Sequence, residues 1–308
     1  MKLFLTKLLI LVVPLMALLS LIEVNSRNND RSSKAFQKKF LEEKLEELEG
    51  VVIGPSHSWR SIQPKYLDYT VASLAFSGSS PNVDQLIYEY VEERANPSFY
   101  LFDLSTMYLA KQNTNEWINA KKLPYYYPNI KTGNLSDYFL TRVPLRNYLF
   151  LKKRKSRYDR WGYNYEIQLP IDIFKQLNYQ DSLIVNHPSV QGVLNQQLEE
   201  AKDNKTHLNI EIYKKIIQEC RAKGTKIIFI SPPKYHIYNE NMEERFALER
   251  QQLLDKVVDN ENVFFLNFEK KYEYEPTFFF DFNHLNVEGS KNFSLELNKS
   301  LKEIIGSK

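Results

Sequence analysis

The chain has one cysteine, Cys220, in 308 residues, so no internal disulfide can form. A chain of this length builds an adequate core without one, and a location outside the cytoplasm is not excluded. Charge of one sign is also scarce. The 41 Lys and Arg against 38 Asp and Glu leave a formal charge of +3, too small to imply a nucleic-acid partner. There are only five histidines, and His187, His207 and His236 show no ligand spacing with other His, Asp or Glu. Neither a metal site nor a cofactor is expected. A phosphate loop of the G-x-x-x-x-G-K type is missing. So is any internal period of about 20–50 residues, which excludes repeat architectures.

Long hydrophobic runs are confined to the N-terminus. Leu8 to Ile22 is apolar apart from Pro14 and Ser20. With Leu3 to Leu5 added and Lys7 snorkelling to the surface, it reaches the roughly 20 residues a spanning helix needs. Lys2 and Lys7 precede the run and Glu23 follows it, which leaves the N-terminus in the cytoplasm and sends the rest across. No A-x-A-like site follows Ile22, so residues 1–24 read as an uncleaved anchor. A cleaved signal peptide is the competing reading. Asn25 to Ser33 reads as a polar linker. Lys34 to Glu49, with Phe36, Phe40, Leu41, Leu45 and Leu48 at helical spacing, reads as an amphipathic helix leading into the domain or lying on the membrane. Residues 25–48 thus connect the anchor to a domain over 49–308.

Within that domain short apolar runs alternate with amphipathic helices. Strand signals lie at Val51-Val52-Ile53, Val71 to Phe76, Phe99 to Leu104, Lys226 to Ile230 and Val263 to Leu266. Helical periodicity marks Val83 to Val91, Tyr213 to Cys220, Glu243 to Val258 and Val287 to Ile305. This pattern predicts an α/β fold, a three-layer α/β/α sandwich around a mostly parallel five-stranded sheet. Ligand crevices in such sheets lie beyond the carboxyl ends of the strands. Residues from about 107 to 205 break the alternation. They hold Tyr125-Tyr126-Tyr127-Pro128, the basic run Lys152 to Arg157, and Trp161-Gly162-Tyr163. This stretch reads as an insertion forming a partly helical cap, or else as a surface excursion. Twenty Tyr and nineteen Phe serve either as core and surface filling or as sugar-stacking groups.

Two of the crevice loops carry chemistry. Gly54-Pro55-Ser56-His57-Ser58 follows the first strand directly. A serine on a tight strand-to-helix turn is held exposed, with backbone N–H groups aimed at the same spot. That suits a nucleophile whose adduct needs its oxyanion stabilised. Asp281-Phe282-Asn283-His284-Leu285-Asn286 precedes the final helix. In a turn, Asp281 can accept the Nδ1–H of His284 and leave Nε2 to take a serine proton. The alternative for this segment is a helix N-cap, made by Asn286 or Asp281.

With a serine after the first strand and Asp-x-x-His before the last helix, the chain resembles the SGNH/GDSL hydrolase superfamily. It is more closely similar to the membrane-anchored bacterial branch that includes alginate O-acetylation proteins and the D-alanyl teichoic-acid transfer protein. Phe76-Ser77-Gly78 and Ile230-Ser231-Pro232-Pro233 support the resemblance, which covers roughly 48–110 and 207–305. It implies an SGNH, flavodoxin-like fold with Ser56 as nucleophile, His284 as base and Asp281 as its orienting partner. Gly78 matches an oxyanion donor. The family's further donor, an asparagine after the third strand, is replaced by Asp103-Leu104-Ser105-Thr106, where Ser105 is the candidate. His57 is a candidate for binding substrate or the oxyanion, or a hydrogen-bonded structural histidine.

The leading expectation is acyl transfer onto or off an envelope polysaccharide or related polymer through an acyl-Ser56 intermediate. By resemblance, a multi-pass membrane acyltransferase would be the partner supplying acyl groups. The alternatives are a glycan-binding or assembly factor without turnover, and a membrane-tethered structural protein in which Ser56 and His284 lie far apart.

Overall fold

A computed structural model describes residues 2–131, 157–164 and 172–306. Helix α1 (Lys2–Asn28) carries the apolar run with Pro14 inside it. Its segment Leu3–Asn25, 23 residues at a mean hydropathy of 2.5, is long and apolar enough to cross a membrane, and its apolar stretch is not buried among the described residues. The expected linker begins later than read, because Asn25 to Asn28 form the last turn of α1. Helix α2 (Ser33–Glu43) follows, capped by the Ser32 hydroxyl accepting from the Ala35 N–H. It buries Phe40 and Leu41 in the core, so it is part of the domain and not a membrane-surface helix. It stops six residues before the expected Glu49. Leu45 and Leu48 keep the apolar spacing in a turn that leads into the sheet.

The sheet contains β1 (Gly50–Ile53), β2 (Val71–Ser73), β3 (Phe99–Asp103), β4 (Lys226–Ser231) and β5 (Val263–Asn267). Their order is β2-β1-β3-β4-β5 and every pairing is parallel. The second strand ends three residues before the expected Phe76, although the Leu74 and Phe76 N–H groups still donate to Val52 and Gly54 of the neighbouring strand and turn.

Side chains alternate strictly between the two faces, as the strand period requires. Val51, Ile53, Tyr100, Phe102, Ile227 and Phe229 enter one core cluster. Val52, Phe99, Leu101, Ile228 and Ile230 enter the other. Helix α3 (Ser56–Ser61) leaves β1, and α4 (Pro81–Glu92) covers the first face. Within the expected insertion come α5 (Asn115–Ala120), α6 (Leu123–Tyr126), α7 (Ile173–Gln176), α8 (Asp181–Val185) and α9 (Pro188–Glu200). Then follow α10 (Thr206–Lys223), α11 (His236–Glu240) and α12 (Glu244–Val257). A two-stranded antiparallel hairpin, β6 (Phe279–Asp281) and β7 (His284–Leu285), leads into α13 (Val287–Ile305). Helices α10 and α12 join α4 on the first face, and α13 packs its Phe293, Leu297 and Leu301 on the second. The result is three layers, α/β/α.

The insertion's conspicuous aromatics are structural. Tyr126 and Tyr127 are buried, and Tyr126 donates to Asp30. Tyr163 is buried and shares a hydrogen bond with Ser290, while Trp161 packs on Phe40 of α2. Of the basic run, Lys152 to Ser156 lie outside the described residues.

Candidate active site

The turn from β1 to α3 is built around two close approaches. Gly54 has φ +152°, and a Cβ there would stand 2.7 Å from Cβ of Asp103 at the end of β3. Only glycine passes this point unstrained. Pro55 then sets the first residue of α3, and Ser56 opens the helix. The first N–H groups of a helix have no intrahelical partner, so those of Ser56 and His57 are available beside the hydroxyl. Ser58 fastens the turn to the neighbouring strand, its buried hydroxyl donating to Asp103 Oδ2 at 2.7 Å.

The hairpin supplies the other half. Asp281 and His284 are cross-strand neighbours, with a register irregularity between the two strands. His284 Nδ1 lies 2.9 Å from both Oδ1 and Oδ2 of Asp281. Its Nε2 lies 2.8 Å from Ser56 Oγ. The Asn283 N–H also donates to Asp281 Oδ1, at 3.0 Å, and fixes the carboxylate. Since a carboxylate can only accept, His284 donates from Nδ1, and its Nε2 is left to accept the serine proton. The ring is stacked on Phe280 at 5.3 Å and 12°, which supports its orientation. Asn286 caps α13 by accepting from the Glu288 and Gly289 N–H groups, so capping and the Asp–His pair coexist.

Ser56, His57, Gly78 and His284 line one cleft of about 560 Å³, together with residues of the insertion. Gly78 has φ +82° and sits in a turn after β2. Its carbonyl accepts from Asn113 Nδ2 at 2.8 Å, and the edge of Trp117 leaves space for no larger residue without a shift. Ser105 does not join this group. It is fully buried, is not among the cleft-lining residues, and its N–H is spent on Asp103 Oδ1 at 2.9 Å. The expectation that it replaces the missing asparagine donor is therefore corrected: Asp103 folds the segment into a tight turn and draws it inward.

His57 packs 5.3 Å from the ring of His284. Burial, with Lys234, His284 and Lys111 nearby, pushes its pKa well below the ordinary histidine value, so the ring is neutral. Asn283 Nδ2 donates to its Nε2 at 3.2 Å, which places the ring proton on Nδ1. That Nδ1 is buried with no hydrogen-bond partner among the described residues.

Residues outside the sequence motifs complete the site. Lys234 is fully buried behind the hairpin, and its ammonium approaches the Asn283 carbonyl at 3.4 Å. Burial brings its pKa down to about 8, opposed by the charges of Asp103, Glu269 and Asp281. Asn283 Nδ2 also reaches Gln197 Oε1 of α9 at 3.3 Å, tying the insertion to the hairpin. Asn283 lies inside the motif and Lys234 follows the loop after β4, so both stood where the sheet topology points. Gln197 gives no such signal.

No protein-family model matches the chain, and no curated protein matches it. A solved structure from Streptococcus pneumonia, described as a candidate platelet activating factor, is similar at a TM-score of 0.42 and 11% identity, over 94% of this chain and 98% of that one. A likeness this slight carries no inference about activity.

Proposed function

We propose that the chain is a serine-dependent acyl transferase or esterase of the SGNH type, working on a one-helix membrane anchor. The observation that carries the reading is the continuous hydrogen-bonded chain from Ser56 through His284 to Asp281, opening on a cleft beyond the sheet's carboxyl edge. In this reading Ser56 Oγ attacks an ester carbonyl carbon while its proton passes to His284 Nε2. The tetrahedral oxyanion is held by N–H groups of the α3 turn and the Gly78 turn. Collapse breaks the bond to the leaving alcohol, which takes the proton from His284. An acceptor hydroxyl, or water, then resolves acyl-Ser56 by the same steps reversed.

The anchored domain acts on the outer side of the cytoplasmic membrane, on an envelope polysaccharide or related polymer. What supports that placement is the apolar run of α1, with Lys2 and Lys7 before the run and Glu23 after it. A multi-pass membrane acyltransferase is the proposed source of acyl groups.

The test uses the full-length chain in detergent, treated with a serine-reactive fluorophosphonate and, separately, an activated acetyl ester. Labelling and turnover are expected in the unaltered chain and absent in Ser56→Ala and His284→Ala. An intact, folded chain that neither labels nor turns over ester would overturn the reading.

A further inference from the structure

Part of the cleft wall is lined by amides held in fixed orientation. Gln112, Asn113 and Gln196 line it, and each gives one amide N–H to an acceptor within the protein. Asn209 gives both N–H groups to the carbonyls of Leu109 and Lys111, at 2.7 and 2.8 Å, so its Oδ1 is left to accept from Gln112 Nε2 at 3.1 Å. Asn113 Nδ2 donates to the Gly78 carbonyl at 2.8 Å. Gln196 Nε2 donates to the Glu200 carboxylate at 2.9 Å. A carbonyl or carboxylate oxygen can only accept, so the orientation of each amide is fixed. Among the described residues no donor reaches the three amide oxygens, so each amide offers an acceptor oxygen beside one remaining N–H.

The charges along the same wall cancel. Lys111 is paired with Glu200 at 3.1 Å, and Lys205 with Asp203 at 2.8 Å. No lining cation among the described residues lacks a carboxylate beside it. A carboxylated or phosphorylated ligand would meet two carboxylates, with both lysines already engaged. An uncharged ligand whose hydroxyls both donate and accept would pair with the amide oxygens and their remaining N–H groups and meet no repulsion.

We infer that this cleft binds a neutral, hydroxyl-rich unit of the kind an uncharged sugar presents, and discriminates against an anionic one. Its role as acyl acceptor rests on the proposed chemistry at Ser56. The binding itself does not.

The experiment is calorimetric titration of full-length Ser56→Ala in detergent with tetramers of N-acetylglucosamine, galacturonic acid and glucosamine, at low and high salt. The neutral tetramer is expected to bind, with its affinity changing by less than about twofold with salt, since no net ionic contact is screened. Gln196→Ala and Gln112→Ala are each expected to weaken it about fivefold, as for loss of one hydrogen bond. Both side chains are exposed, so folding is not at stake. Tighter binding of the anionic or cationic tetramer, a steep salt dependence, or no binding of the neutral one would overturn the inference. Fluorophosphonate labelling of the unaltered chain is scored separately. Failed labelling counts against the chemistry at Ser56, and failed neutral binding counts against the acceptor class.

Discussion

His284 Nε2 lies 2.8 Å from Ser56 Oγ, although 228 residues separate the two in sequence. The two sit on independent devices, a glycine-enabled turn after β1 and a short hairpin before α13. The fold brings both to the same edge of the parallel sheet. The pairing sets the first prediction. Ser56→Ala and His284→Ala should each abolish turnover of an activated acetyl ester. Asp281→Asn should keep the ring near its place but lose the acceptor that holds the proton on Nδ1, lowering kcat by roughly 10⁴-fold. Steady-state kinetics on the three variants checks this, and an Asp281→Asn enzyme with undiminished kcat would remove Asp281 from the machinery.

The sheet was legible because β1, β3 and most of β4 are buried on both faces and read as continuous apolar runs. The Asp281–His284 pair was legible because three residues of separation suffice to close it in a hairpin. Ser105 was misread because the deciding interaction is local and polar: Asp103 captures its N–H and turns the segment away from the cleft. The end of α2 was misread because Leu45 and Leu48 stay apolar for core packing after the helix has stopped. Gln197 was not legible at all, and Lys234 only by its place after β4, not by its role. Their roles come from contacts with Asn283 at sequence separations of 49 and 86, which no periodicity encodes.

Gly54 tests whether the turn geometry is required. A Cβ at this position meets Asp103 Cβ at 2.7 Å on a backbone of positive φ. Gly54→Ala should cost about 1–3 kcal/mol of stability. It should also slow fluorophosphonate labelling, because relief of the clash moves Ser56 two residues on. Thermal unfolding and labelling rates measured on one preparation decide it; a variant matching the unaltered chain in both would show that the turn yields freely.

Arg250 and Glu269 form a buried bidentate pair, at 2.7 and 3.0 Å. Glu269 also accepts from Ser231 and Thr106, so one carboxylate joins the loop after β3, the end of β4 and the loop after β5. Truncating the cation strands the carboxylate in the core. Arg250→Met should therefore cost about 3–5 kcal/mol, and Arg250→Met with Glu269→Gln distinctly less. Urea unfolding of the single and double variants gives the comparison. Equal losses would mean that packing of the arginine stem, not the buried charge, sets the cost.

Asp84 lies under the Gly78 turn, its carboxylate accepting from Ser79, Tyr108 and Tyr213. Burial raises its pKa from the ordinary 3.8 to about 7, against the opposing pull of those hydroxyls, with Asp103 adding a smaller push upward. The folded protein therefore keeps a proton that the unfolded chain has released between about pH 4 and 7. In that window the native state binds more protons, so this group's contribution to stability falls as pH rises, by up to about 1.4 kcal/mol per pH unit. Asp84→Asn carries no charge to bury and should flatten the slope, gaining on the unaltered chain at pH 8 relative to pH 5. Denaturant unfolding at the two pH values measures the difference directly. Parallel pH dependences in the two proteins would show that Asp84 is ionised at no such cost, with the three hydroxyls compensating its burial in full.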